Sequence, residues 1–152
     1  MDSLPLFLPL AGREVIVLAI GPDSAEPAAA KARLVVAAGG IVADEGAVNP
    51  VLAFVAADDA DLAAAAATRL RARGLLVNVV DRPALSDFTM GAIIDRSPVV
   101  VAISPGRATA SLSRALRGRL EALLPASLGA LATAIGAARA AAGAAHPRVA
   151  GR

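Results

Sequence analysis

Gly21 and the acids that follow it carry the first chemical suggestion in the sequence. The run VIVLAI at 15–20 ends at Gly21, and Asp44-Glu45 stand about twenty residues further on, a distance that suits the ribose hydroxyls of a dinucleotide. A glycine after the first strand lets the backbone approach a pyrophosphate closely. The glycine-rich turn such a unit carries is nearly absent, however, and is reduced to Gly21-Pro22-Asp23-Ser24. Helix N-terminal amides can still attract a phosphate there, although an acidic Asp23 opposes one. Asp58-Asp59 and Asp81 each follow a further aliphatic run, so carboxylates recur at the ends of strands.

Several chemistries are excluded. Cysteine is absent, which removes disulfides and Cys-based zinc or iron–sulfur sites. The one histidine, His146, stands beside Pro147 near the end of the sequence, so a histidine triad or a multi-histidine metal site is not expected. With no Trp or Tyr and only three Phe, aromatic platforms for single-stranded nucleic acid are lacking, and no nucleic-acid partner is expected. Charge is uneven: residues 1–65 hold nine acids and three bases, residues 66–152 four acids and twelve Arg, which suggests an anionic ligand for the second half. LPLFLPLAG near the N-terminus lacks a positive leader and reads as a short edge strand. No run is long enough to span a membrane, and the expectation is a cytoplasmic protein.

The elements that must position these residues follow from hydrophobic patterning. Aliphatic runs at 15–20 and 51–56 read as buried strands, the first covered on both faces, and 40–43 and 75–80 as a short strand and a further strand. Residues 25–38 and a segment from Asp58-Asp59 to about Arg73 read as helices, ended by Gly39-Gly40 and Gly74. This alternation predicts an α/β fold, a Rossmann-like open parallel sheet with right-handed crossovers. Gly21, Asp44, Ala57 and Asp81 should then gather at the carboxyl rim of the strands, where ligands bind. After Asp87-Phe88 the pattern changes to a strand at 98–104, a helix at 108–124 striped by Leu112, Leu116 and Leu120, and an Ala-rich helix at 127–144 suited to close packing against another helix or a second subunit. The expected division is a dinucleotide-binding domain over 1–90 and a small strand-plus-helix dimerisation segment over 91–152.

The order of segments resembles one family. LPLFL, KARLVVAAGG, LAFVAADD, RGLLVNVVDRPALSDF, IIDRSPVVVAIS and RALRGRLEALLP together are similar to the N-terminal module of siroheme synthases, the precorrin-2 dehydrogenase and sirohydrochlorin ferrochelatase module. The resemblance implies oxidation of the tetrapyrrole precorrin-2 to sirohydrochlorin with NAD as hydride acceptor, iron insertion in some members, and a homodimer. It implies that the aspartate ending NVVD, here Asp81, is the key acid. Removing a hydride to a nicotinamide leaves a proton for a base, which is work for a carboxylate at the sheet rim. Gly21, Pro22, Asp23, Ser24, Asp44, Glu45 and Ala57 are the expected cofactor-binding residues. Asn78, Arg96, Ser104, Gly106, Arg107 and Arg114 are expected at the substrate, a polycarboxylate that arginines suit. Ser104 has no base in reach and is not read as a nucleophile.

This sequence departs from the family in several places. The glycine cluster is reduced to Gly21 with extra residues before the helix, and too few residues separate Gly40 from Leu52 for the usual extra strand. Ser86 stands where cysteine is usual, Gly91 where proline is, and most of a C-terminal helical module is missing. These departures leave an alternative, a catalytically impaired dimeric tetrapyrrole-binding or scaffolding protein. Asp44-Glu45 favour NAD over NADP by repelling a 2′-phosphate.

Overall fold

Side chains alternate across a strand, so a sheet covered on both faces needs apolar residues at nearly every position. The computed structural model, which describes residues 3–106 and 109–145, shows that the four central runs meet this need. Strands β1 (Glu14–Ile20), β2 (Ile41–Ala43), β3 (Leu52–Ala57) and β4 (Leu76–Val79) pair in the order β2-β1-β3-β4, all parallel. Val15, Leu52 and Phe54 pack with Val35 of helix α1 (Ala25–Ala37) on one face. Ile16, Ala53, Val55, Val77 and Val79 pack on the other face with helix α2 (Ala60–Ala72). Ala63, Ala66 and Ala67 of α2 are fully buried, and their small side chains let that helix lie close to the sheet. Asp59 caps α2, its Oδ1 accepting the Asp61 and Leu62 amides at 2.8 and 2.9 Å.

The connection from β2 to β3 is made by residues 44–51 alone. It crosses the α2 face, where Ala47 joins the core and Arg73 donates to the Glu45 and Ala47 carbonyls, each at 2.6 Å. Because β3 starts at the amino edge of the sheet, so short a connection must leave β2 early. Ala43 pairs with Ile16, whereas β1 continues to Ile20.

The N-terminal run is not an edge strand. Residues 4–10 form no regular element, and Leu4, Leu6 and Phe7 are exposed. Pro5 and Pro9 lack the amides that a ladder uses.

These elements belong to a unit covering Ser3–Thr89; a second unit begins at Met90. There β5 (Ala92–Arg96) and β6 (Val99–Ile103) form an antiparallel hairpin, followed by α3 (Ala110–Leu123) and α4 (Leu128–Ala145). β5 is a strand that patterning did not single out, since IIDR carries too few residues to show alternation. Gly129 of α4 seats against the hairpin turn, where a Cβ would overlap the Ser97 carbonyl oxygen. The Arg96 guanidinium ties the same region together by donating to the Leu124 and Asp95 carbonyls at 3.1 and 3.0 Å. No single helix among the described residues is long and apolar enough to cross a membrane.

Candidate functional site

In an open parallel sheet the loops leaving the carboxyl ends of the strands converge, and here they enclose a cleft of about 390 Å3. It is lined by the turn after β1 (Asp23, Ser24, Pro27), the end of β3 (Ala56, Ala57, Asp58) and the end of β4 (Val80, Asp81, Arg82). The structure therefore brings Asp23, Ser24, Ala57 and Asp81 to one place.

The turn after β1 is built around Gly21, whose φ of 105° and ψ of 163° belong to a region that is essentially glycine-only. A 3-10 turn, Pro22–Ser24, leads from it directly into α1. Ser24 is buried and its hydroxyl donates to the Gly21 carbonyl at 2.6 Å. Asp58 reaches across from the end of β3, and its Oδ2 accepts the Asp23 amide at 3.0 Å. A Cβ on Gly21 would overlap that carboxylate. The backbone of Asp58 is held on both sides, its amide donating to the Ile20 carbonyl at 3.1 Å and its carbonyl accepting from Arg82 Nη2 at 3.0 Å. Patterning placed Asp58 with Asp59 at the start of α2 and missed this role. The signal was the pair itself, because one carboxylate suffices to cap a helix.

Asp81 has a left-handed backbone, φ 58°, which aspartate tolerates better than most residues. The segment after it folds back around the free edge of β4. Leu85 packs on the α2 face and Phe88 on the α1 face, where its ring meets Phe54 edge-on at 5.6 Å. On the edge itself the Val79 amide donates to Ser86 Oγ at 2.9 Å, and the Val77 amide donates to Asp87 Oδ2 at 2.9 Å. Asp87 returns its own amide to the Val77 carbonyl at 2.8 Å. Ser86 and Asp87 thus do for β4 what a neighbouring strand would do, and they fix the strand end that carries Asp81. Asn78 belongs to the same clamp: it is 7% exposed, and its side-chain amide donates to the Phe88 carbonyl at 2.8 Å.

Asp44 and Glu45 do not join the cleft. With about 3.3 Å per strand residue, Asp44 leaves the sheet far below Gly21, because β2 stops level with Ile16. The Asp44 carboxylate accepts the Gly46 amide at 2.8 Å. Glu45 is drawn to the last turns of α2, where Arg69 donates to both its oxygens at 3.1 and 3.2 Å. That hydrogen bonding holds the Glu45 carboxyl below the usual carboxylate range. Spacing along the chain, sound for a full-length connection, fails here because the connection is short.

The remaining expected residues lie in the second unit. Arg96 is engaged with carbonyl groups as described, Ser104 Oγ accepts the Gly106 amide at 3.3 Å, and Arg114 is exposed on α3. Arg107 lies outside the described residues, as does His146.

Residues 7–92 match the family model described as "Putative NAD(P)-binding". The siroheme synthase of Thiobacillus denitrificans is 38% identical over 158 residues, covering 86% of this chain and 32% of that protein. The siroheme synthase of Methylococcus capsulatus is 52% identical over 81 residues, covering 53% of this chain and 17% of that protein. The chain spans about a third of the length of the relatives it matches over most of its residues. Among solved structures, SirC, a precorrin-2 dehydrogenase, matches in fold with a TM-score of 0.61 at 17% identity, covering 86% of this chain and 76% of that one.

Proposed function

Because this chain belongs to the NAD(P)-binding family and is homologous to the N-terminal module of siroheme synthases, we propose that it binds NAD at the carboxyl rim and dehydrogenates precorrin-2 to sirohydrochlorin. One observation carries the reading: Asp81 and the turn after β1 line the same cleft. Dehydrogenation takes one hydride and one proton from the substrate, and bound NAD supplies the carbon that accepts the hydride. Asp81 accepts the proton. Gly21 lets the dinucleotide backbone approach the sheet, and the start of α1 faces its phosphates. The Ser86–Phe88 clamp holds Asp81 in place. Arg114 on α3 is proposed to meet substrate carboxylates.

The same reading makes the protein a cytoplasmic homodimer. Val100, Leu112, Leu116, Leu131 and Ile135 of the second unit are exposed, and a second copy would cover them. Sedimentation of the purified chain tests this, with a monomer at micromolar concentration as the opposing result. A second reading, a tetrapyrrole-binding scaffold without turnover, is favoured by one observation, the prior engagement of the Asp23 amide by Asp58.

Purified protein supplied with precorrin-2 and NAD is expected to form sirohydrochlorin. Asp81→Asn is the informative variant, since asparagine also tolerates a left-handed backbone and removes only the base. Its rate should fall by about 10²-fold or more. No turnover by the wild-type chain would overturn the dehydrogenase reading.

A further inference from the structure

Asp58 is an acid for which the proposed dehydrogenation has no use. It does not cap α2, because Asp59 already does so through two amides. Its carboxylate lies instead across the turn that leads into α1, accepting the Asp23 amide at 3.0 Å and filling the space that the absent Cβ of Gly21 leaves open. In a dinucleotide site that same space admits the pyrophosphate, and the same amides receive its charge. The other polar group of the turn is also engaged, the Ser24 hydroxyl donating to the Gly21 carbonyl.

We propose that Asp58 is an internal competitor for the pyrophosphate position, so that a dinucleotide binds only by displacing this carboxylate. The inference rests on the dinucleotide reading of the cleft. Both backbone groups of Asp58 are fixed, the amide by Ile20 and the carbonyl by Arg82, so displacement is a side-chain rotation that leaves the end of β3 in place. Exchange of one anion for another conserves the amide contact and releases little. Charge adds to the opposition, since Asp23 and Asp81 share the lining with Arg82, the one cation among its described residues. A turn that lacks most of its glycines therefore discriminates against phosphates through its own anion as well as through lost backbone approach. Asp58 sets the affinity of the site.

Calorimetric titration of the full chain tests this with two probes, NAD and inorganic pyrophosphate, on wild type, Asp58→Asn and Asp58→Ala, each first shown to be folded by circular dichroism. Removing a unit charge about 4 Å from a phosphate changes affinity by roughly fivefold in water and by more in a part-buried cleft. Both variants should therefore bind both probes at least about fivefold more tightly than wild type. If pyrophosphate binding tightens and NAD binds to none of the three, Asp58 still competes with phosphates at the turn, but the dinucleotide reading, and with it the displacement by a dinucleotide, falls. If NAD binds all three equally, the reading holds and the inference falls. Weaker binding of both probes by the variants also overturns it, by making Asp58 a scaffold of the turn. A measurement on wild type alone is independent of variant folding: the Asp23 amide resonance should move when pyrophosphate is added, and a fixed resonance at saturation overturns the inference.

Discussion

Arg71 Nε lies 2.9 Å from each carboxylate oxygen of Asp87, and one of those oxygens also accepts the Val77 amide at 2.9 Å. A helix, a loop and an edge strand are thus joined at a single carboxylate. Asp87→Ala would leave the Val77 amide without its acceptor and the Arg71 guanidinium with the Leu85 carbonyl in place of a carboxylate. The expected cost is about 1–3 kcal/mol, since a partly exposed charge-assisted pair and a strand-amide hydrogen bond are lost together. Urea unfolding measures it. Asp87→Asn, which keeps an oxygen for Val77, should cost less than Asp87→Ala; equal losses would mean that the strand amide contributes nothing.

Gly21→Ala should destabilise the first unit by about 1–3 kcal/mol, because the backbone there is glycine-only and the added methyl meets the Asp58 carboxylate. The double variant with Asp58→Ala removes the overlap with the carboxylate, leaving a tight contact with the Cβ of residue 58, and keeps the backbone strain. Its stability should lie between that of Gly21→Ala and that of Asp58→Ala in thermal melts.

Glu45 gives a pH signature. Its folded-state pKa is lowered by Arg69, so the stability it contributes is present above the unfolded carboxyl value and is lost as pH falls through the folded one. The side chain is 39% exposed, which limits the contribution to under about 1 kcal/mol. Glu45→Gln should be slightly less stable than wild type at pH 7, and the gap should close in acid below the carboxylate range. A gap that persists there would trace the loss to the loop rather than to the ion pair.

In the second unit, Gly129→Ala should separate α4 from the hairpin turn, because the new methyl has no room beside the Ser97 and Arg96 carbonyls. A cost of about 1–3 kcal/mol is expected for overpacking of this kind. Hydrogen exchange at the amides of β5 and β6 should quicken, while exchange in β1 and β3 should not change.

The parallel sheet was legible because both of its faces are covered: VIVLAI and LAFVAA are continuous apolar runs that no solvated strand would carry. NVVDRP placed Asp81 at the end of a strand, and the structure has it in the cleft lining. What patterning misjudged traces to connections. Asp44 and Glu45 were spaced correctly for ribose, but the short chain from 44 to 51 takes them out of the rim. Asn78 was expected at a substrate and instead anchors the Phe88 carbonyl, a contact ten positions away that no local pattern encodes. Asp58 was hidden by its neighbour, since two adjacent aspartates before an Ala-rich run read as one helix start.

The early exit of the chain from β2 has a consequence for behaviour at high concentration. On that side the sheet ends in an outer ladder only three residues long, Ile41–Ala43, with the Ile41 and Val42 side chains exposed. An edge that brief offers a second molecule few main-chain groups to zip onto, which protects an aliphatic border that carries no charge of its own. Lengthening the 44–51 connection to rebuild a longer border strand would remove that protection and should lower solubility.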